Sequence, residues 1–264
     1  MTLPTPDPAF HWSHEPWGPA LRCGGFAGAA QHLFTSRQLE LRSSDTAWAA
    51  AAASLGAAPE RVMRVKQVHS NVVRVLKRGE VASSHERPEG DAIVSNEAGL
   101  VLAVQVADCV PILLADRHGG AAGAVHAGWR GTCARVASAA VETLNKEFGA
   151  TPNDLIAAIG PSIGPDDYEV GESLVEAFKA AGHSPEDLAR WFIHRASRLH
   201  FDLWTANRDQ LVAAGVSPDR IFTSRLSTLA HPDVFDSFRA EGPQAGRMAA
   251  LIRVPPAHKL KVES

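Results

Sequence analysis

Residues 100–148 read LVLAVQVADCVPILLADRHGGAAGAVHAGWRGTCARVASAAVETLNKEF. Three apolar runs of strand length lie at 100–106, 112–115 and 121–126, the last preceded by Gly119 and Gly120. From 131 to 148 the pattern changes, and Val136, Ala140, Leu144 and Phe148 recur at four-residue spacing. The short runs suit buried strands, and the four-residue spacing suits a helix packed by one face and closed by Gly149 and Pro152. Strands leading into a helix in this way predict an α/β (α+β) protein with mixed sheets flanked by helices. Polar residues interrupt the strands at two points, Asp108-Cys109 and His126-Ala127-Gly128-Trp129-Arg130-Gly131. Burying Asp108 without partners would be costly, so something in the fold must compensate it.

The same reading extends to both sides. The Ala-rich stretch 47–55 favours helix on propensity, and 61–76 mixes Val and Met with polar residues as a half-buried strand or strand pair does. Residues 77–90 read as a loop. Beyond the centre, 155–159 and 220–223 read as strands, as does 248–254. Helices are predicted at 172–181, closed by Gly182, and at 202–214, with Asp202 at the N-cap. No repeat or linker divides the chain, so 26–256 is expected to form one domain. An irregular Pro/Gly-rich segment is expected at 1–25 and a frayed tail at 257–264.

Composition narrows the function. The 264 residues carry a net charge of −3, with 45% hydrophobic and 21% charged residues. Such a chain is long enough to bury a large core and lacks the basic excess of a dedicated nucleic-acid binder. Three cysteines, Cys23, Cys109 and Cys133, form no disulfide framework and point to reduced thiols and a cytoplasmic setting. No apolar run is long enough to span a bilayer, so no membrane partner is expected.

Three polar segments carry the chemistry: Lys66-Gln67-Val68-His69-Ser70, Ala107-Asp108-Cys109-Val110-Pro111, and the strand-to-helix junction 124–131. Strand ends that lead into helices are where α/β proteins place ligands. One thiolate and two imidazoles, from Cys109, His69 and His126, form a ligand set suited to zinc or copper. Three protein ligands leave the fourth tetrahedral position open, as in catalytic zinc sites. Spacing alone is equally compatible with a buried Cys acting as a small hydrophobe. The turn 128–132 opens a helix and adds Arg130, which suits a phosphate or carboxylate, and suits a plain tight turn as well.

HAGWRG at 126–131, ADCVPILLAD at 107–116, QVH at 67–69 and GDAIVSN at 90–96 together resemble the YfiH-type multicopper polyphenol oxidase (laccase-like domain) family. IGPSIGPDDYEVG at 159–171, DLWTANRDQL at 202–211 and GRMAALI at 246–252 agree in order. The resemblance implies a fold like that of YfiH and of the catalytic domain of cytotoxic necrotizing factor, with a metal held by His69, Cys109 and His126. It also implies a zinc-dependent purine nucleoside phosphorylase acting on adenosine, inosine, guanosine and methylthioadenosine, with adenosine deaminase activity. Purine nucleoside and phosphate are then the partners, and the chain is expected to be a monomer or small homo-oligomer. Asp108 is the candidate proton shuttle and Arg130 the candidate phosphate holder.

Alternatives remain at this stage. Cys109 as nucleophile would make a cysteine hydrolase or an enzyme that edits peptidoglycan precursors. A copper-dependent polyphenol oxidase (laccase) needs several copper sites, and no His-x-His pair is present. The chain also departs from the family pattern. Residues 34–39 keep an Arg but lack the usual glycines, and the SLNLG segment is unrecognisable. Ser162 and Asp167 replace cysteines, Phe222-Thr223 replaces Cys-Thr, and 235–239 (FDSFR) replaces an FFSYRR-like stretch.

Overall fold

Alternating burial along the strands builds this molecule as four layers. A computed structural model of the chain describes residues 2–80 and 87–257. The first mixed sheet contains β1 (Phe10–Glu15), β2 (Gly18–Cys23), β3 (His32–Thr35), β4 (Val62–Arg64), β7 (Val101–Val106) and β14 (Met248–Arg253). Its order is β1-β2-β3-β14-β7-β4, antiparallel except for the parallel pair β4 and β7. The second contains β5 (Val73–Leu76), β6 (Ala92–Ser95), β8 (Val110–Asp116), β9 (Ala122–Ala127), β10 (Leu155–Ile159) and β13 (Ile221–Thr223). It runs in the order β13-β10-β8-β9-β6-β5. A hairpin of β11 (Phe192–Arg195) and β12 (Arg198–Phe201) stands apart.

Successive side chains of a strand point to opposite faces, and each central strand therefore serves two cores. Leu102, Val104 and Val106 of β7 pack with Leu113, Ala115, Ala122 and Ala124 from the second sheet, forming the core between the sheets. Val101 and Ala103 face the other way, onto α1 (Asp45–Ala53), with Trp48, Ala51 and Ala52. Ile112 and Leu114 of β8, with Val125 of β9, face α3 (Val136–Phe148), which contributes Val136, Ala140, Val141 and Leu144. Helices α4 (Glu172–Ala180), α5 (Pro185–Trp191) and α6 (Leu203–Ala213) complete that outer layer. Full burial of a Val or Leu contributes roughly 1.5–3 kcal/mol, so these three cores dominate the stability.

Two expectations are corrected. The segment 1–25 is not irregular: β1 and β2 pair over six residues at the edge of the first sheet. The predicted helix across 131–148 is two helices, α2 (Trp129–Cys133) and α3, broken where Arg135 adopts a left-handed φ of 61°. The strands expected within 61–76 are β4 and β5, one in each sheet. Part of the 77–90 loop and most of the 257–264 tail lie outside the described residues. Asp202 caps α6 by accepting from the Thr205 amide at 2.9 Å, and Gly149 closes α3 with a φ of 71°.

Candidate metal centre

The chain crosses between the two sheets at 107–109, linking β7 to β8, and again at 65–72, linking β4 to β5. His126 lies on β9 opposite Pro111 of β8. These crossings bring His69, Cys109 and His126 together at one end of the sandwich, with their ligand atoms all within 4.8 Å of one another. Cys109 Sγ stands 4.0 Å from His69 Nε2, and the two imidazole rings lie 5.0 Å apart at 77°. In a tetrahedral zinc site, sulfur and nitrogen ligands are about 3.5 Å apart, so small shifts of these side chains would suffice to hold an ion. His69 is exposed, Cys109 half-buried and His126 buried.

One carboxylate that the sequence reading left unassigned organises this end. Asp91, at the start of β6, is wholly buried. Its Oδ1 accepts from His126 Nδ1 at 2.9 Å and from the His69 amide at 2.9 Å. Its Oδ2 accepts from the Ser70 amide at 2.6 Å, the Ser70 hydroxyl at 2.8 Å and the Val68 amide at 3.3 Å. Burial alone would push the Asp91 carboxyl up, but these donors outweigh it and hold it well below the usual carboxylate range. The signal was present in GDAIVSN, where one acid directly precedes the apolar run Ala92-Ile93-Val94.

The same balance acts on the trio in the absence of metal. Burial opposes ionisation of the Cys109 thiol, yet His126 and His69 beside it bring its pKa down. Burial likewise disfavours charge on His126, and the Cys109 and Asp91 groups raise it above the ordinary histidine value. With Nδ1 donating to Asp91, the His126 Nε2 lone pair is the one available to an ion. Gly128 makes room for the trio: a Cβ there would stand 2.8 Å from Cys109 Sγ and 3.1 Å from His69 Cδ2.

The trio opens into a cleft of about 920 Å³. Trp129, Ile163, Tyr168, Leu203 and Phe238 supply its apolar walls, while Lys66, Arg87, Arg130, Arg239 and Arg247 make it cationic. Burial pushes the Tyr168 hydroxyl up to about 12, so it stays a neutral donor. Arg130 is exposed, with its guanidinium carbon 4.2 Å from the Trp129 ring centre. Asp108, the expected proton shuttle, lines the same cleft with its carboxylate already hydrogen-bonded. It takes a left-handed φ of 81°, and its carboxylate accepts from Thr228 Oγ1 at 2.6 Å, Ser237 Oγ at 3.1 Å and the Arg239 amide at 2.6 Å. Those three donors are the compensation its burial required, and they fasten α7 (Phe238–Glu241) to the cysteine loop. Among the divergent positions, Phe238 and Arg239 line the cleft. Ser162 instead accepts from Trp204 Nε1 at 2.7 Å, and Asp167 accepts from the Ser227 hydroxyl.

Fold and site together define an α+β protein of mixed sheets with a His–Cys–His cluster in a cationic cleft. Residues 27–255 match the family described as multi-copper polyphenol oxidoreductase laccase, and the chain belongs to that family, the YfiH-type one read from its motifs. A purine nucleoside phosphorylase of Deinococcus radiodurans is 42% identical over 204 residues, 77% of this chain and 74% of that protein. Adenosine deaminase RL5, from an unknown prokaryotic organism, is 38% identical over 203 residues, 74% of this chain and 76% of its own length. The crystal structure of YlmD from Geobacillus stearothermophilus superimposes with a TM-score of 0.79 at 31% identity, covering 92% of this chain and 98% of that one.

Proposed function

We propose that this chain is a zinc-dependent purine nucleoside phosphorylase that also deaminates adenosine, with His69, Cys109 and His126 as the metal ligands. One observation carries the reading: three ligand atoms within 4.8 Å open into a cationic cleft with apolar walls. The relatives' names point the same way, towards nucleoside phosphorolysis and deamination rather than phenol oxidation. The donor set of thiolate and two imidazoles fits zinc and leaves a coordination position open. When bound, the ion supplies Lewis acidity that makes water nucleophilic near neutral pH.

The chain's own residues do the rest. Trp129, Tyr168 and Phe238 offer flat apolar surface to a purine. Arg130 holds phosphate near the sugar; phosphate oxygen bonds to the anomeric carbon as the bond to the purine nitrogen breaks, releasing free base and the sugar 1-phosphate. Adenosine, inosine, guanosine and methylthioadenosine all carry the bond that this reaction needs. In deamination, water adds at the purine C6 and ammonia leaves. We assign Asp108 to anchoring α7 rather than to carrying protons, because three donors already occupy its carboxylate.

A second reading has one observation in its favour. Asp91 holds the His126 imidazole, and the Cys109 thiol lies within 4.8 Å of that ring's nitrogen, so carboxylate, imidazole and thiol are neighbours, as in a cysteine nucleophile with an oriented base. Incubation with inosine and phosphate decides between them. The first reading predicts hypoxanthine and ribose 1-phosphate, abolished by a chelator and restored by zinc. Turnover that survives chelation contradicts it and favours the thiol. A laccase has less support, since the described residues hold one such cluster.

A further inference from the structure

We infer that Asp91 is a positioning residue that sets two of the three metal ligands at once, so that only small shifts are needed when an ion arrives. This rests on the metal reading above. The carboxylate is wholly buried, and its hydrogen-bond donors all belong to ligand-bearing segments. From β9 it accepts a hydrogen bond from His126 Nδ1, which fixes the tautomer and turns Nε2 towards the centre. From the 68–70 loop it takes three consecutive amides and one hydroxyl.

That loop needs such a hold. His69 adopts a φ of 60°, a left-handed conformation that costs a non-glycine residue free energy and persists only when its surroundings enforce it. The amides on either side of this strained residue point at Asp91. A single carboxylate therefore couples the backbone that carries one ligand to the ring of another, across strands β6 and β9 and the crossing between the sheets. Cys109 has no bond to it and is placed instead by the 107–109 turn, whose Asp108 is tied to Thr228, Ser237 and Arg239.

The test is metal binding by full-length protein, with zinc affinity measured against a chromophoric chelator and the ligand field read with cobalt(II). Asp91→Asn keeps an acceptor for the Val68 and Ser70 amides but presents its NH2 group to His126 and the His69 amide. We expect zinc affinity to fall roughly 10–100-fold, with circular dichroism unchanged. The thiolate-to-cobalt absorption should persist while the ligand-field bands shift, a signature that general destabilisation would not produce. Affinity within twofold of the parent, with an unchanged cobalt spectrum, overturns the inference. If Asp91→Asn does not fold, Ser70→Ala decides, since it keeps the carboxylate and removes one donor. A several-fold weaker affinity supports the hub, and an unchanged one overturns it. A parent protein that binds neither zinc nor cobalt overturns the metal reading itself, and the inference with it.

Discussion

At Gly128 a single hydrogen atom separates a working cluster from a crowded one. Its φ of −72° is open to any residue, so conformation does not demand glycine there; proximity to Cys109 and His69 does. Gly128→Ala should therefore retain the fold and lose bound metal, because overpacking of about 1–3 kcal/mol falls directly on two ligands. Elemental analysis beside a thermal melt checks this, and full metal content in the variant would count against it. Arg130 offers a cleaner separation of the two chemistries. It is exposed, so Arg130→Ala should leave the melting temperature unchanged. Loss of a charged contact made to phosphate should slow phosphorolysis by roughly 10²-fold. Deamination of adenosine, which uses no phosphate, should be largely spared. Equal loss of both reactions would remove Arg130 from the phosphate site.

Strands β2 and β3 carry a pH dependence of their own. His32 is buried, its ring 4.5 Å from that of Phe26, and its Nε2 accepts from the Cys23 amide at 2.8 Å. An accepting nitrogen must be unprotonated, and burial lowers the His32 pKa from 6.5 to about 4. A group depressed in the folded state contributes stability that is complete above its unfolded value and declines as pH falls. His32 should thus destabilise the protein progressively between pH 6.5 and about 4. Melting temperature followed across that window should flatten in His32→Gln, and an identical slope in both proteins would contradict the assignment. This hairpin region was also the part of the fold least readable in the sequence. β1 alternates weakly, with polar His11, Ser13 and His14 on an edge strand beside Gly18 and Pro19, so the period-2 signal is faint. The central strands were legible because both faces are buried, which leaves nearly continuous apolar runs. The break between α2 and α3 was hidden because Arg135, not glycine, takes the left-handed position. Asp91 escaped notice for a related reason: most of its partners are backbone amides, which any sequence supplies.

Across the whole molecule, two sheets share a core, helices cover both outer faces, and the crossings at 65–72 and 107–109 meet at one end. Those crossings converge residues 40 and 17 positions apart in sequence, which is why ligand spacing alone said so little and the ordered motifs said more. Among the described residues, no helix is long and apolar enough to cross a membrane. The reactive end is built from turns pinned by Asp91 and Asp108, two buried acids whose partners lie far apart in the chain. The most direct test of the account is the metal content of the purified protein, measured beside Cys109→Ala after exhaustive dialysis. The account predicts one zinc per chain in the parent and its loss in the variant, together with phosphorolysis. A parent without stoichiometric zinc, or a Cys109→Ala protein that keeps its metal in full, would contradict it.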